Sequence, residues 1–317
     1  MARRPRRACG GLDWKGADMD SSSHSSVAVI IRTVDRPDFL RRAIDDVSAQ
    51  THSGWTIQIV NDGGDPEPVD LAVARARSTG IPVEVMHHRT GRGRSAAANA
   101  GIEATVSDYI VIHDDDDLWD AEFLTKTVAH LDAHPADAGV MVRTEIVYEV
   151  ERDGIWSEVD RASFWPQLEQ ISYGEFLQSN RAVPISFLYR RAVHDKVGLY
   201  REDLHAVEDW EFYLRILAVE NVALLDGRPL AFWMQRVGAH GAAGNSVFEL
   251  AGDHERYDRL VRDEALRAYV ASHGPGLPLF LARLVKDEVA RQLDMRKNPV
   301  DIAVDRARRW RQNRRGR

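Results

Sequence analysis

Four consecutive carboxylates, Asp114 to Asp117, follow directly after a short apolar segment at residues 109–113. Neighbouring carboxylates disfavour one another's ionisation unless a cation or solvent offsets the charge. The end of a buried strand offers little solvent, so a divalent cation is the natural counter-charge, and carboxylate oxygens favour Mg2+ or Mn2+ held together with substrate phosphates. The alternative is a solvated acidic turn with no ligand.

Two further polar loops follow similar apolar segments. The sequence NDGGD occupies residues 61–65, and RTGRGRS occupies residues 89–95. Arg92 and Arg94 stand just before a predicted helix. An arginine pair at a helix N-terminus can bind a diphosphate. The alternative is a capping loop with solvated arginines. The same loop holds a partial dinucleotide fingerprint, which is weak because it follows the third strand and not the first.

These loops punctuate a regular alternation of strands and helices. Short segments rich in β-branched residues at 27–33, 55–60, 83–88 and 109–113 begin 26 to 28 residues apart, and helical patterns at 39–50, 69–78 and 95–105 separate them. This rhythm predicts βαβ units in a doubly wound α/β fold with a mostly parallel sheet. Because ligands bind beyond the carboxyl ends of such strands, the three polar loops are expected to share one rim.

The second half has a different pattern. We expect a helix at 121–133, a strand stretch at 138–150, a helix at 207–218, and an amphipathic helix near 277–293. The predicted organisation is a disordered tail at 1–26, a catalytic domain at 27–246 divided into 27–120 and 121–246, and a helical extension with a basic tail at 247–317.

Three segments together resemble the glycosyltransferase family 2 enzymes. These enzymes invert the configuration at the anomeric carbon of the transferred sugar and have the glycosyltransferase-A fold. VAVIIRTVDRPDFLRRAIDDVSAQTHSGWTIQIVNDGGD (27–65) is similar to the opening strand, helix and second strand of that family. SAAANAGIEATVSDYIVIHDDDDLW (95–119) resembles its small-residue helix and Asp-x-Asp strand, and VGLYREDLHAVEDWEFYLRIL (197–217) resembles its later Glu-Asp segment. The resemblance covers residues 27 to 246.

The resemblance implies a role for each matching residue. Asp209 would be the general base. Asp116 would be the direct ligand of Mn2+ or Mg2+, and His240 would be an additional metal ligand. The nucleotide would contact Thr33, Asp62, Arg92, Arg94, Asn99, Asp114 and Asp115, with Asp62 on the base. The expected reaction moves a sugar from a nucleoside diphosphate sugar, UDP being the favoured carrier, to a hydroxyl of a glycan or lipid-linked acceptor in envelope or polysaccharide synthesis.

This sequence departs from the family pattern at several positions. Arg32 and Asp35 stand where the family often has Pro and Asn, and Ala98 replaces an Arg that usually precedes Asn99. We therefore expect phosphate neutralisation to shift to Arg92 or Arg94.

The aromatic residues near the motifs have ordinary alternatives to sugar binding. Trp119 and Trp210 are expected to pack in the core, and Trp165 is the better candidate for stacking on a sugar. For Asp209 and His240, the alternatives are a first-turn helix acid and a merely exposed histidine.

The composition excludes several classes of protein. A single cysteine, Cys9, cannot form an internal disulfide or a cysteine-cluster zinc site. Residues 306–317 carry seven arginines and no acid, so the remainder of this chain of net charge −7 carries −14, which disfavours nucleic acid as a partner. No apolar stretch reaches the length of a membrane span. We expect a cytoplasmic protein whose basic end contacts anionic lipid at the inner face of the membrane.

Two other functions fit part of the pattern. A sugar-phosphate nucleotidyltransferase would also need a divalent ion, but it would need a glycine-rich loop after the first strand, where RTVDRPD (32–38) has no glycine. A non-catalytic nucleotide- or metal-binding module would have no use for Glu208 and Asp209.

Overall fold

The structure, a computed structural model, describes residues 25–153, 155–236, 238 and 251–296. The chain divides into two compact units, residues 1–249 and 250–317. The domain boundary expected at 246/247 and the basic tail lie outside the described residues. At the other end, the tail predicted at 1–26 lies outside the described residues except for Ser25 and Ser26, and the Ser26 amide donates to Asp108 Oδ2 at 2.8 Å.

A seven-stranded sheet forms the centre of the first unit. Its strands are β1 (Val27–Thr33), β2 (Trp55–Asp62), β3 (Val83–His88), β4 (Tyr109–Asp114), β6 (Asp137–Val142), β9 (Phe187–Arg190) and β10 (Asn221–Leu225), in the order β10-β6-β9-β4-β1-β2-β3. All pairings are parallel except those of β9 with β4 and β6. The four predicted strands are present, and the mixed sheet is mostly parallel as predicted.

Helices cover this sheet where the sequence predicted them. They are α1 (Pro37–Ser48), α2 (Pro66–Ser78), α3 (Arg94–Glu103) and α4 (Phe123–Ala133). Proline occupies the first turn of α1 and α2, where its missing N–H has no helical partner to lose. The α3 helix is built from small residues, so it packs closely on β1: a Cβ at Gly101 would lie 2.5 Å from Ile30 Cγ2.

The strand stretch predicted at 138–150 is two strands in two different sheets. Residues 137–142 form β6 of the central sheet, whereas β7 (Thr144–Arg152) belongs to a second sheet together with β5 (Leu118–Trp119), β8 (Ile155–Phe164) and β11 (Ala231–Arg236), in the order β5-β11-β7-β8. The predicted strand stretch is therefore present, but the sequence did not show that it passes from one sheet to another, because β-branched residues continue across the bend and periodicity does not reveal a change of sheet.

The described part of the first unit also contains three short helices, α5 (Tyr173–Gln178), α6 (Val193–Val197) and α7 (Glu208–Leu217). The described residues of the second unit form two long helices, α8 (Ala251–His273) and α9 (Gly276–Arg296). The sequence predicted α9 but not α8, whose pattern is rich in charged residues. Among the helices that the structure describes, none is both long and apolar enough to cross a bilayer.

Candidate active site

A cleft lies beyond the carboxyl ends of β1 and β4. The chain runs from β1 through β2 to β3 on one side and places β4 on the other, so the cleft sits where the strand order reverses, the usual ligand site in such sheets. The second sheet supplies one wall through β11. The described residues that line the cleft are Arg32, Thr33, Val34, Arg36, Asp62, Arg94, Ala97, Asp114, Asp115, Asp116, Asp117, Trp233 and Gln235.

The first two residues of the acidic run are held by the end of β1. Asp114 accepts from the Arg32 guanidinium, with the Arg32 Nε at 3.1 Å, and Asp115 accepts from Thr33 Oγ1 at 2.8 Å. Burial alone would raise the pKa of Asp114, but the charge of Arg32 outweighs it and holds that pKa below its usual value. Burial and the neighbouring Asp116 raise the pKa of Asp115 to about 7.

The second two residues connect the run to β11. Asp116 Oδ2 accepts from Arg36 at 3.2 Å and from Arg236, whose side chain is fully buried. Asp117 accepts from the backbone N–H of Met234 at 2.9 Å. Burial, followed by the charges of Asp116 and Asp114, raises the pKa of Asp117 well above its usual value. Burial and mutual repulsion therefore disfavour ionisation of the Asp115 and Asp117 carboxyl groups, a cost that a bound cation would offset.

The donor set suits a hard divalent ion. Both described guanidinium contacts of Asp116 fall on Oδ2, so a cation at Oδ1 does not have to displace them. Among the described residues, the acidic run does not bring three potential ligand atoms within 4.8 Å of one another. The group of side chains that does so lies outside the cleft. One or two carboxylates completed by substrate phosphates is the usual arrangement of Mg2+ in such sites. His240, the other predicted ligand, lies outside the described residues.

The turn after β2, residues 61–65, holds the loop at residues 89–95 that carries Arg92 and Arg94. Asp62 accepts from the backbone N–H groups of Arg92 at 2.9 Å and Gly93 at 2.8 Å, and its Oδ1 lies 2.7 Å from His88 Nδ1. The two loops touch so closely that a Cβ at Gly63 would lie 2.2 Å from the Gly91 nitrogen. Asp62 lines the cleft, and its carboxylate also has this positioning role, which the sequence did not indicate.

Arg94 reaches the cleft, but Arg92 and Asn99 are absent from its described lining. Arg92 is half exposed and lies 3.4 Å from Glu202. Asn99 is buried: its Nδ2 donates to the carbonyl of Tyr200 at 2.9 Å, and its Oδ1 accepts from the Tyr200 N–H at 2.9 Å. The structure therefore places Asn99 in contact with the segment that leads to α7, and of the two arginines expected to neutralise phosphate it places Arg94 in the lining of the cleft.

The Glu-Asp pair begins α7, as the sequence predicted. It is preceded by Val207, which has φ 58° and ψ 17°, a left-handed conformation that is costly for a β-branched residue. Glu208 is buried and lies 3.3 Å from Arg94 Nε and 3.9 Å from Arg32 Nη1. Arg94 thereby links the acidic pair to the rim of the cleft.

Asp209 is held differently from Glu208. Its Oδ2 accepts from Asn180 Nδ2 at 2.9 Å, and its Oδ1 accepts from the Trp210 N–H at 2.8 Å. Burial, together with the charge of Glu208, raises the pKa of Asp209 to about 6. A carboxylate with this pKa is ionised at neutral pH and more basic than a solvated one, which suits a general base.

Trp119 and Trp210 pack in the core, as predicted. Both are buried and donate to backbone carbonyls, Trp119 to Ile185 at 2.7 Å and Trp210 to Phe176 at 2.6 Å. Trp165 is partly exposed with φ 48°, and the Arg181 guanidinium lies 3.7 Å from its ring centroid. One face of Trp165 is therefore covered by an arginine, which restricts sugar stacking to the other face.

Sequence reasoning missed three residues that shape this site: Arg36, Asn180 and Arg236. Arg36 directly precedes α1 and could have been found from its position beyond β1. Asn180 and Arg236 had no local signal, since their contacts with Asp209 and Asp116 span 29 and 120 residues.

The sequence of this chain is similar to sequences of glycosyltransferases. The profile described as Glycosyl transferase family 2 matches residues 28–198, more than half of the chain. YwdF of Bacillus subtilis (strain 168), an uncharacterized glycosyltransferase, is 30% identical over 192 residues, which cover 60% of this chain and 67% of that protein. The uncharacterized glycosyltransferase alr2836 of Nostoc sp. is 31% identical over 121 residues, covering 38% of this chain and 37% of its own.

Solved structures with the same fold include two proteins in complex with nucleotide sugars. TarS 1-349 of S. aureus in complex with UDP-GlcNAc has a TM-score of 0.55 and 15% identity, covering 80% of this chain and 75% of TarS 1-349. The mannosyltransferase PcManGT from Pyrobaculum calidifontis, in complex with GDP-Man and Mn2+, has a TM-score of 0.51 and 16% identity, covering 91% of this chain and 81% of its own. At these identities the likeness concerns the fold.

Proposed function

The chain belongs to glycosyl transferase family 2, with the glycosyltransferase-A fold and glycosyltransferase activity, and from this premise we propose an inverting, metal-dependent transfer of a sugar from a nucleoside diphosphate sugar. One observation carries the proposal. Arg94 lines the cleft that holds Asp114 to Asp117, and it also pairs with Glu208, whose neighbour is Asp209. Donor groups and a candidate base are thus joined in one charge network.

The donor diphosphate would lie between the acidic run and the start of α3. The N–H groups at that helix start are oriented toward the loop, and Arg94 adds a positive charge beside them. Thr33, Asp62, Asp114 and Asp115 would contact the nucleoside, with Asp62 nearest the base. We favour a UDP-sugar, and the GDP-Man complex of PcManGT makes GDP the nucleotide to compare.

Asp116, with Asp114 beside it, would hold Mn2+ or Mg2+, which would offset negative charge on the leaving diphosphate as a Lewis acid. The protein contributes orientation: Arg36 and Arg236 hold Asp116 through Oδ2, and Asp117 fixes β11 through the Met234 N–H. A carboxylate with fixed position and charge is what a metal ligand requires, because ligand reorganisation weakens binding.

Asp209 would accept the proton of the attacking acceptor hydroxyl. Attack from the side opposite the nucleotide inverts the anomeric centre and needs no covalent intermediate. Three features support this role: the raised pKa, the hydrogen bond from Asn180 that fixes one oxygen, and the position in the first turn of α7. The acceptor we propose is a hydroxyl of a glycan or lipid-linked saccharide in envelope or polysaccharide synthesis.

The first test is a nucleotide-binding panel by thermal shift. UDP, GDP, dTDP and CDP are each added with and without Mn2+ to the wild type and to Asp116→Asn. This variant keeps an oxygen that can accept from Arg36 and Arg236, so it tests metal ligation with less risk to the fold than an alanine variant. We expect one nucleotide to stabilise the wild type only with Mn2+, and the variant much less. Stabilisation by none of the four would overturn the donor site.

The second test uses the donor that the panel selects. Wild type and Asp209→Asn are compared for release of the nucleoside diphosphate from the matching nucleotide sugar and for nucleotide binding. We expect turnover to fall by about 10²- to 10⁴-fold with binding nearly unchanged. Wild-type turnover in the variant would remove Asp209 from the role of base. Metal-dependent turnover by the wild type would also exclude the non-catalytic module, and release of a nucleoside diphosphate in place of pyrophosphate chemistry would exclude the nucleotidyltransferase.

We further propose that the C-terminal unit contacts anionic membrane, on the cytoplasmic side. Apolar side chains of α9 are exposed, Leu279 and Phe280 by 68% and 63%, and the sequence that follows carries seven arginines within residues 306–317. Exposed apolar groups next to basic ones suit an anionic lipid surface. The full chain should co-sediment with anionic vesicles more than with neutral ones. Deletion of residues 304–317 should reduce its co-sedimentation with anionic vesicles. Unchanged co-sedimentation after the deletion would contradict the proposal.

A further inference from the structure

We propose that His130, His134 and Asp137 form a binding site for one transition-metal ion, with Zn2+ as the best match, separate from the donor cleft. Each of the three side chains offers one ligand atom, and these atoms all lie within 4.8 Å of one another. Tetrahedral Zn2+ with bonds of about 2.0–2.1 Å separates its ligand atoms by roughly 3.4 Å, so side-chain movements of about 1 Å complete the site.

The local fold brings these residues together. His130 lies in the last turn of α4, and His134 is the residue at its C-terminal end, so a spacing of four places both rings on one side of the helix. The rings are stacked with centroids 4.3 Å apart and planes inclined by 16°. Asp137 begins β6 immediately afterwards, and its Oδ2 lies 3.0 Å from His130 Nε2.

The tautomer of His134 is already that of a metal ligand. Its Nδ1 lies 2.8 Å from the carbonyl oxygen of His130, which can only accept, so Nδ1 carries the proton and Nε2 keeps its lone pair. Histidines that bind metals usually donate their other ring nitrogen to a carbonyl or carboxylate in this manner.

Arg190 fixes the backbone around the site. Its guanidinium donates to the carbonyl oxygens of Leu131 at 2.6 Å, His134 at 3.2 Å and Asp137 at 2.8 Å. The helix end and the start of β6 are thereby held together before a metal binds, so less chain entropy is lost on binding.

The site lies near the ends of the sheet at which β4 and β6 begin, whereas the donor cleft lies beyond the carboxyl ends of β1 and β4. In the register of β6, β9 and β4, Gly139 is level with Tyr189 and Tyr189 with Ile110, so Asp137 lies near the start of β4. Asp114 ends β4 five residues after Tyr109, which at about 3.3 Å per residue is roughly 16 Å along the strand. An ion here cannot act on the donor phosphates.

The ligand types distinguish this site from the Asp run. Two imidazoles and one carboxylate suit Zn2+ and its neighbours among the divalent transition metals, whereas all-oxygen sites suit Mn2+ and Mg2+. Three protein ligands leave one position for water. Because the ligands come from α4 and β6, a bound ion would stabilise that junction of the folded state.

The experiment is a Zn2+ titration of the untagged, metal-stripped full chain in competition with a chromogenic chelator, without nucleotide. We expect one equivalent to bind, and His134→Ala to weaken its affinity by at least about 100-fold, since even outer partners of metal ligands contribute 10- to 100-fold. Thermal unfolding should shift upward with Zn2+ in the wild type and not in this variant.

A matched control is His273→Ala. His273 also ends a helix, places Nδ1 3.2 Å from the carbonyl of the residue four before it, and stacks on that residue, but the partner is Tyr269. His273→Ala and Asp116→Asn should both retain the tight equivalent. The proposal is overturned if the wild type binds no equivalent, if His134→Ala binds like the wild type, or if Asp116→Asn abolishes it. His134 is exposed, and circular dichroism of His134→Ala checks that the fold is intact.

Discussion

Asp209→Asn should stabilise the protein at high pH while it lowers turnover by about 10²- to 10⁴-fold. Burial and Glu208 raise the pKa of Asp209 from 3.8 to about 6 in the folded state. The charged and titratable groups around it are Glu208, Arg94, Tyr200 and Tyr213, all of which the variant keeps. A raised carboxyl pKa means that ionisation is costlier in the folded chain than in the unfolded one.

The size of the effect follows from that difference. About two pK units at 1.36 kcal/mol each give a cost of about 3 kcal/mol, borne in full above pH 6 and absent below pH 4, where the carboxyl is protonated in both states. Asparagine accepts only one of the two hydrogen bonds, from Asn180 or from the Trp210 N–H, and loses about 1 kcal/mol at every pH. The variant should therefore be about 2 kcal/mol more stable than the wild type at pH 8 and slightly less stable near pH 4.

The assay is unfolding of both proteins by denaturant between pH 4 and pH 8. The measured quantity is the difference in free energy of unfolding, because the titration of groups that do not interact with Asp209 cancels. Asp160→Asn is the control, since Asp160 Oδ1 also accepts from the next backbone N–H at 2.8 Å but is exposed. A difference between Asp209→Asn and wild type that does not change with pH would refute the reasoning, whatever its sign.

Three further predictions test the site and its support. Transfer should fall about tenfold per pH unit below pH 6, as Asp209 becomes protonated, and a kcat/KM profile that stays flat to pH 5 would contradict the base assignment. Gly101→Ala should destabilise by about 1–2 kcal/mol despite the better helix propensity of alanine, because its Cβ would lie 2.5 Å from Ile30 Cγ2, whereas Gly174→Ala in α5, with open space, should not. Arg236→Met should destabilise by about 2–3 kcal/mol in thermal or denaturant unfolding, because the partly buried Asp116 loses its fully buried guanidinium partner and keeps only Arg36, and a loss below about 1 kcal/mol would show that the salt bridge is dispensable.

The sequence by itself determined the first half of the fold. The four strands and three helices up to Asp114 were predicted to within three residues at each end, because β-branched segments and helical periods alternate there without interruption. The common rim of the polar loops followed from the same rhythm, since parallel strands end at one edge. Glu208 and Asp209 were placed at the start of α7 by their position before an apolar helical stripe.

Only the tertiary structure decided how the charges of the cleft are arranged. Arg236 reaches Asp116 across 120 residues, and Asn180 reaches Asp209 from a segment with no periodic pattern. The turn of the chain between residues 142 and 144, which sends β7 into a second sheet, is what brings β11 to the cleft. Sequence periodicity reports which face of an element is buried, but the pairing of buried charges depends on which elements meet, and that is fixed only when the sheets pack.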